Sequence, residues 1–216
     1  MNNIYFRYNN ESDYIFENLN LSISKGEIIG ISGKSGIGKT TLLDLISSLV
    51  KPNKGELKID GMSINTANIS RKLQNITSYS SQKTTVINAT IKENICFGLE
   101  KNFNEEKLNE VIDFSDLNEF GSIDQSKISI SDAGKNISGG QLQRIGLARA
   151  LYLDREILIL DEATSALDLV TEKKIFDKLS KLKGIKTIII VTHRVSNLEI
   201  CDKIYELQNK KLILKK

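Results

Sequence analysis

The sequence predicts an α/β fold in which a mixed, largely parallel core sheet carries a small antiparallel β lobe and a helical subdomain. Three observations lead there. The runs "EIIGI" (27–31), "EILILD" (156–161) and "TIIIV" (187–191) are short, β-branched and apolar throughout, as strands covered on both faces of a parallel sheet are. Segments with apolar residues at helical spacing alternate with them, as βαβ units require. The remaining chain splits into turn-bounded short strands near its start and a helical stretch in its middle.

Taken in order, the first 25 residues and "GELKID" (55–60) read as short strands of the antiparallel lobe. After the first buried strand, Leu42, Leu45, Ile46 and Leu49 mark a helix that runs toward Pro52. Residues 83 to 150 show helical patterns such as Leu108, Val111 and Ile112, and no extended β run. Ile175, Leu179 and Leu182 mark a helix before the third buried strand. "IYELQNKKLIL" reads as a hairpin turning at Asn209 and Lys210, assigned to the antiparallel lobe. There is no internal repeat and no low-complexity linker.

The 216 residues suit one domain, and 30 Lys and Arg against 27 Asp and Glu leave a net charge of +3 without a single-sign block. No nucleic-acid partner is expected from so even a distribution. The apolar runs fall far short of the roughly 20 residues of a membrane helix, and "MNNIYFRYNN" lacks a basic-then-apolar signal, so no direct membrane insertion by this chain is expected. Cys96 and Cys201 belong to no metal-spaced cluster and read as reduced thiols of a cytosolic protein.

"GKSGIGKTT" (33–41) fits the phosphate-loop pattern G-x-x-x-x-G-K-[ST] and stands between a buried strand and an amphipathic helix, which makes the fold that of a P-loop NTPase. Gly33, Gly36 and Gly38 let the backbone wrap so that its N–H groups point at phosphate oxygens, and the helix start adds about half a positive charge. Lys39 reaches the β- and γ-phosphates, and the Thr40 hydroxyl ligates Mg²⁺. In "ILILDEATSALD" (157–168), Asp161 ends a neighbouring strand, where a carboxylate meets the Mg²⁺ of the bound nucleotide. Glu162, one residue on, is the general base for a water attacking the γ-phosphate.

"NISGGQLQRIGLARAL" (136–151) supplies a second anion-binding helix end. Ser138 reads as an N-cap, two glycines follow it, and Leu142, Ile145 and Ala148 recur at near-helical spacing. One nucleotide cannot use two such ends of one chain if they lie far apart, so a second copy could bring its Ser138 end to the γ-phosphate.

With these motifs, the sequence resembles the nucleotide-binding domain of an ATP-binding cassette (ABC) transporter over essentially its whole length. The resemblance implies ATP and Mg²⁺ as cofactors and a single cassette, with residues 1–82 and 151–216 as a RecA-like core carrying the β lobe and residues 83–150 as the helical subdomain. It identifies Gly33, Lys34, Ser35, Gly36, Gly38, Lys39, Thr40 and Thr41 with the Walker A loop and Gln82 in "SYSSQ" with the Q-loop glutamine that reaches Mg²⁺ or water. Ser138, Gly139, Gly140 and Gln141 match the signature sequence, Asp161 the end of Walker B, Glu162 the catalytic glutamate and Asp168 the D-loop. His193 in "THR", the only histidine, matches the switch residue that hydrogen-bonds the γ-phosphate and orients the attacking water. Tyr8 lies where the family stacks an aromatic on adenine. Tyr5, Phe6 and Tyr14 are near enough to serve instead, and a tyrosine packed on the β lobe is the alternative.

Two such domains in this family sandwich two ATP molecules head to tail, so the resemblance implies a second copy of the chain as partner. It implies as well a transmembrane domain docked near residues 83–98 and a place at the cytoplasmic face of the inner membrane. Two departures stand out: Ile137 replaces the usual leucine, a near-isosteric change, and "SDAG" (131–134) replaces Gly-Glu-x-Gly, which bears on the contact with the membrane partner.

"TTVINATIKENICFG" (84–98) with "EATSALD" and "THRVSNLEICDKIYEL" resembles exporter-type cassettes more than importer subunits. Because the chain begins almost at the stacking aromatic, an excised piece of a longer membrane protein is expected, with a free-standing subunit as the alternative. The resemblance points to a lipid-linked oligosaccharide or another amphipathic lipid as cargo, with a peptide also compatible. A chromosome-maintenance ATPase would need long heptad insertions that are absent. A translation factor of this family would carry two cassettes, and a small-molecule kinase would leave the signature, Gln82 and His193 unexplained. A regulatory cassette would normally lack Glu162 or His193.

Overall fold

The computed structural model describes residues 1–9, 11–64, 67–99, 103–118, 130 and 136–216. In chain order its elements are β1 (Asn2–Phe6), β2 (Phe16–Leu19), β3 (Ile28–Ser32), α1 (Lys39–Ile46), β4 (Lys54–Glu56), β5 (Lys58–Ile59), β6 (Met62–Ser63), α2 (Ala67–Asn75) and β7 (Thr77–Ser80). There follow α3 (Ile91–Ile95), α4 (Glu105–Phe114), α5 (Gly139–Tyr152), β8 (Ile157–Asp161), α6 (Leu169–Ser180), β9 (Thr187–Val191), a 3₁₀ turn (Val195–Leu198), β10 (Lys203–Gln208) and β11 (Lys211–Leu214). The fold is α/β with a mixed, mostly parallel sheet, as the sequence predicts. Two compact units form, one of residues 1–77 and 183–216, the other of residues 78–182.

In the first unit, β3 pairs in parallel with β9 on one side and β10 on the other, with Ile28 opposite Ile188 and Ile29 opposite Lys203. Ile28, Ile29, Ile31 and Ile188 to Val191 are essentially inaccessible to solvent, so the all-apolar runs follow from burial on both faces. A separate antiparallel sheet of order β2-β1-β4 is the predicted lobe, with Ile4 opposite Leu19 and Phe6 opposite Phe16. Fully burying side chains of this size stabilises the fold by about 1.5–3 kcal/mol each.

Two expectations change. The C-terminal hairpin does turn at Asn209 and Lys210, both with positive φ, and pairs Tyr205 with Leu214. It does not belong to the antiparallel lobe: β10 continues the parallel sheet beside β3. The helix expected to run toward Pro52 stops at Ile46. Ser48 takes a left-handed φ of 56°, its Oγ lies 2.7 Å from Ser70 Oγ, and its carbonyl accepts from Gln74 Nε2 at 3.1 Å. Side chains of α2, an element the sequence reading did not contain, thus hold the stop, and Leu49 beyond it is exposed.

In the second unit, β7 and β8 lie side by side, and Ser78 Oγ donates to the Ile157 carbonyl. Helix α5 packs against α3 and α4. Its Arg149 donates from Nε to the Asn94 carbonyl at 2.8 Å and from an Nη to the Thr85 carbonyl at 3.0 Å, and burial pulls the guanidinium below its ordinary pKa. Among the described residues no helix is long and apolar enough to cross a membrane. Both cysteines are buried thiols outside any disulfide, and burial pushes the Cys201 thiol up to about 12.

Candidate functional site

Within the first unit, the phosphate loop leaves β3 through Gly33 (φ 151°) and passes Gly36 (φ 74°) to Gly38 (φ 108°), the N-cap of α1. A Cβ on Gly33 would stand 2.8 Å from the Leu207 carbonyl, and one on Gly38 would stand 2.8 Å from Ile15 Cγ2, so neither the space nor the backbone suits another residue. Lys34, Ser35 and Gly36 are exposed at the rim, whereas the Lys39 side chain folds back over the loop. Its ammonium donates to the carbonyls of Gly33 and Lys34, both at 3.1 Å, and lies 3.2 Å from His193 Nε2. An ammonium only donates, so in this contact Nε2 is the acceptor. The residue expected to orient water therefore already touches the residue expected to hold phosphate.

Tyr8 projects from the β lobe with 59% of its surface exposed, its ring edge-on to Phe6 and its hydroxyl 3.1 Å from Thr41 Oγ1. Tyr5 and Tyr14 instead pack edge-to-face on each other, with the Arg7 guanidinium over Tyr14, and Phe6 is buried. Of the four candidate aromatics, Tyr8 presents the most open face. Thr40 is exposed at the first turn of α1.

Within the second unit, Asp161 is buried at the end of β8 and its Oδ2 accepts a hydrogen bond from the Tyr79 hydroxyl at 2.8 Å. Glu162 follows in the left-handed region, φ 49°, a conformation that costs a non-glycine residue on the order of 1–3 kcal/mol and that persists where surroundings fix it. The turn points the two carboxylates differently: Glu162 Oε2 accepts from Gln82 Nε2 at 2.8 Å. The Glu162 carbonyl accepts from the Ser165 N–H and from Gln143 Nε2. Thr164 Oγ1 donates to the buried Glu172 carboxylate at 2.7 Å, so the loop after Glu162 is held from inside.

Ser138 caps α5 as expected, and more completely. Its side chain accepts from the Gln141 N–H at 3.2 Å while Gln141 Oε1 accepts from the Ser138 N–H at 2.9 Å, a reciprocal capping box. This cap opens on a cavity of about 420 Å³ lined by Ser138, Gly139, Gly140, Arg144, Ala166, Leu167, Asp168 and Thr171. Asp168 caps α6, accepting from the N–H groups of Thr171 and Val170 at 3.0 Å each, and the Thr171 N–H leads in holding its carboxyl below the ordinary value. The expected departure at residues 131–134 lies outside the described residues. Tyr79 and Gln143 carry no sequence signal because their roles rest on contacts with residues far away in the chain, and Glu172 carries none because its contact with Thr164 forms only through the turn between them.

A sequence model of the family described as "ABC transporter" matches residues 16–165. The chain belongs to the ABC transporter family. It is 37% identical over 96% of its length to a "Probable ABC transporter ATP-binding/permease protein" of Haemophilus influenzae, and 36% identical over 98% to an "ATP-dependent lipid A-core flippase" of Pseudoalteromonas translucida. Among solved structures it is similar to a bacterial Atm1-family ABC exporter with ATP bound, with a TM-score of 0.89, 28% identity and 98% of the chain covered. It spans 37% of the length of each of these three proteins. This chain thus shares its family with proteins named as an ATP-binding/permease protein and a flippase, and its fold with part of that exporter.

Proposed function

We propose that this ABC cassette hydrolyses MgATP to drive export or flipping of a substrate across a membrane, two copies closing head to tail on two nucleotides. The observation that carries the reading is the self-capped start of α5. Ser138, Gly139 and Gly140 line a cavity together with Asp168, and a helix start of this kind attracts an anion through its N–H groups and partial positive charge. In the closed pair, that end of one copy meets the γ-phosphate held by the phosphate loop of the other.

Each copy's loop, Gly33 to Thr41, wraps the phosphates, with Lys39 leaving the loop carbonyls for the β- and γ-phosphates and Tyr8 stacking on adenine. Glu162 accepts a proton from the water that attacks the γ-phosphorus, ADP departs as phosphate forms, and Gln82 and His193 orient that water. Hard oxygen donors fit Mg²⁺: the Thr40 hydroxyl, the Gln82 amide oxygen and the Asp161 carboxylate, which Tyr79 holds in place. Mg²⁺ is commonly held by one or two carboxylates together with substrate phosphates, which this donor set allows. Bound there, it would neutralise charge on the transferring phosphoryl group.

The partner that moves cargo is a transmembrane domain docked near residues 83–98 at the cytoplasmic face of the inner membrane. Support comes from Asn94, fully buried, whose side chain accepts from the Ile87 N–H and donates to the Ile87 and Thr90 carbonyls, stapling a segment that leaves Ile87 and Phe97 exposed. The flippase name of one relative supports a lipid-linked oligosaccharide or another amphipathic lipid as cargo. We also retain residues 1–82 with 151–216 as core and 83–150 as helical subdomain in this reading. Glu162→Gln is the test: it should keep ATP affinity by calorimetry and lose roughly 10²- to 10⁴-fold in hydrolysis. Hydrolysis at the unaltered rate would remove Glu162 from the mechanism.

A further inference from the structure

We propose that Gln143 is a positioning residue for hydrolysis, a buried amide that ties the signature helix α5 to the backbones of Gln82 and Glu162 and thereby sets where the Glu162 carboxylate stands. The proposal rests on the reading of Glu162 as general base.

Gln143 lies in the second turn of α5 and is 5% exposed. Its Nε2 donates to the Gln82 carbonyl at 3.3 Å, the Glu162 carbonyl at 3.3 Å and Ser165 Oγ at 2.9 Å, while its Oε1 accepts from the Ala166 N–H at 2.7 Å. One side chain thus grips two segments that are remote in sequence: Gln82, just beyond β7, and the turn from Glu162, directly after β8, through Ser165 and Ala166 toward Asp168. Two of the gripped residues also meet through their own side chains, Gln82 Nε2 on Glu162 Oε2. The amide therefore fixes both ends of the hydrogen bond that aims the carboxylate.

Glu162 is where such a grip has most effect. Its left-handed backbone needs surroundings to hold it, and its carbonyl faces the Gln143 amide and the Ser165 N–H. Because Gln143 rides on the helix that Ser138 caps, a displacement of the signature helix is transmitted to the base through a single side chain. Glutamine suits the task because it presents donors and an acceptor together; a carboxylate of the same shape would face the Gln82 and Glu162 carbonyls with no proton to give them, and only the Ser165 hydroxyl could turn to donate to it.

In the full-length protein, Gln143→Ala and Gln143→Glu should lower kcat for ATP by about ten-fold or more, the scale for losing a group that orients a functional ligand, with KM and ATP affinity unchanged. If the alanine variant does not fold, the glutamate variant, matched in volume and still able to accept from the Ala166 N–H, carries the test. In a Glu162→Gln background the same substitutions should add no further loss, since they act through Glu162. Wild-type kcat in both variants, or an equal fractional loss with and without Glu162, would overturn the proposal. Undiminished hydrolysis by Glu162→Gln alone would instead show that the base itself was misassigned, and the positioning role would go with it.

Discussion

Helices α1 and α5 both have glycine at their starts, yet they begin in opposite ways. Helix α1 starts at Gly38, in the left-handed region, with no side-chain cap, and the nearest ammonium, Lys39, turns back onto the loop. Helix α5 starts at Ser138 in extended backbone with both partners of its capping box satisfied. The first start keeps its backbone donors for a ligand that one chain can wrap. The second satisfies two donors internally and offers the glycine amides beside a serine hydroxyl, a narrower contact, which the proposed pairing uses to complete a site begun by another chain. A cradle is built by removing side chains, and a lid by fixing one.

Breaking the cradle should have the largest effect. Lys39→Ala should abolish measurable ATP binding in calorimetry, because the charge that meets the β- and γ-phosphates is gone; unchanged affinity would dismiss the phosphate-loop assignment. Gly38→Ala comes next. It forces a Cβ into the left-handed region and against Ile15 and Phe16, so thermal unfolding should show a loss of roughly 1–3 kcal/mol. At the lid, Gly139→Ala should leave the melting temperature unchanged or raised, since its Cβ would stand an ordinary 3.7 Å from Ala166. Ser138→Ala should cost about 1 kcal/mol of stability, the usual price of an N-cap, while a single chain's ATP affinity stays as it was.

The smallest effect concerns acid. The Asp168 carboxyl is depressed by hydrogen bonds from the Thr171 and Val170 N–H groups, so the stability it contributes is present above its ordinary pKa of 3.8 and is lost as pH falls through the lower folded value. Asp168→Asn, still able to cap, should flatten the acid limb of a stability-against-pH curve below pH 3.8 and leave the neutral region alone.

What the sequence made legible is what a short stretch can encode. All-apolar runs identify strands covered on both faces, glycine spacing identifies the loop around phosphate, and Ser138 followed by glycines identifies a capped helix start. The end of α1 was not legible, since Ser48 is held left-handed by Ser70 and Gln74 of another helix. Nor was the sheet that the terminal hairpin joins, because "IYELQNKKLIL" encodes a turn but not the parallel partner β3. At the site, spacing and context name the phosphate loop, Asp161, Glu162 and the Ser138 helix start, and the family resemblance adds Tyr8, Gln82, Asp168 and His193, whereas Tyr79 on Asp161, Gln143 on Glu162 and Glu172 on Thr164 are side-chain contacts without a local signal.

The measurement that reaches the central claim is light scattering of the Glu162→Gln protein with saturating MgATP, with and without Ser138→Arg. With hydrolysis blocked, ATP should accumulate between two copies and the protein should run as a dimer. Adding Ser138→Arg places a bulky side chain where the proposed pairing puts the partner's phosphate, and the protein should return to monomer with ATP still bound to each phosphate loop. A nucleotide-dependent dimer that survives Ser138→Arg undiminished would show that the signature helix does not complete the partner's site and would contradict the head-to-tail account.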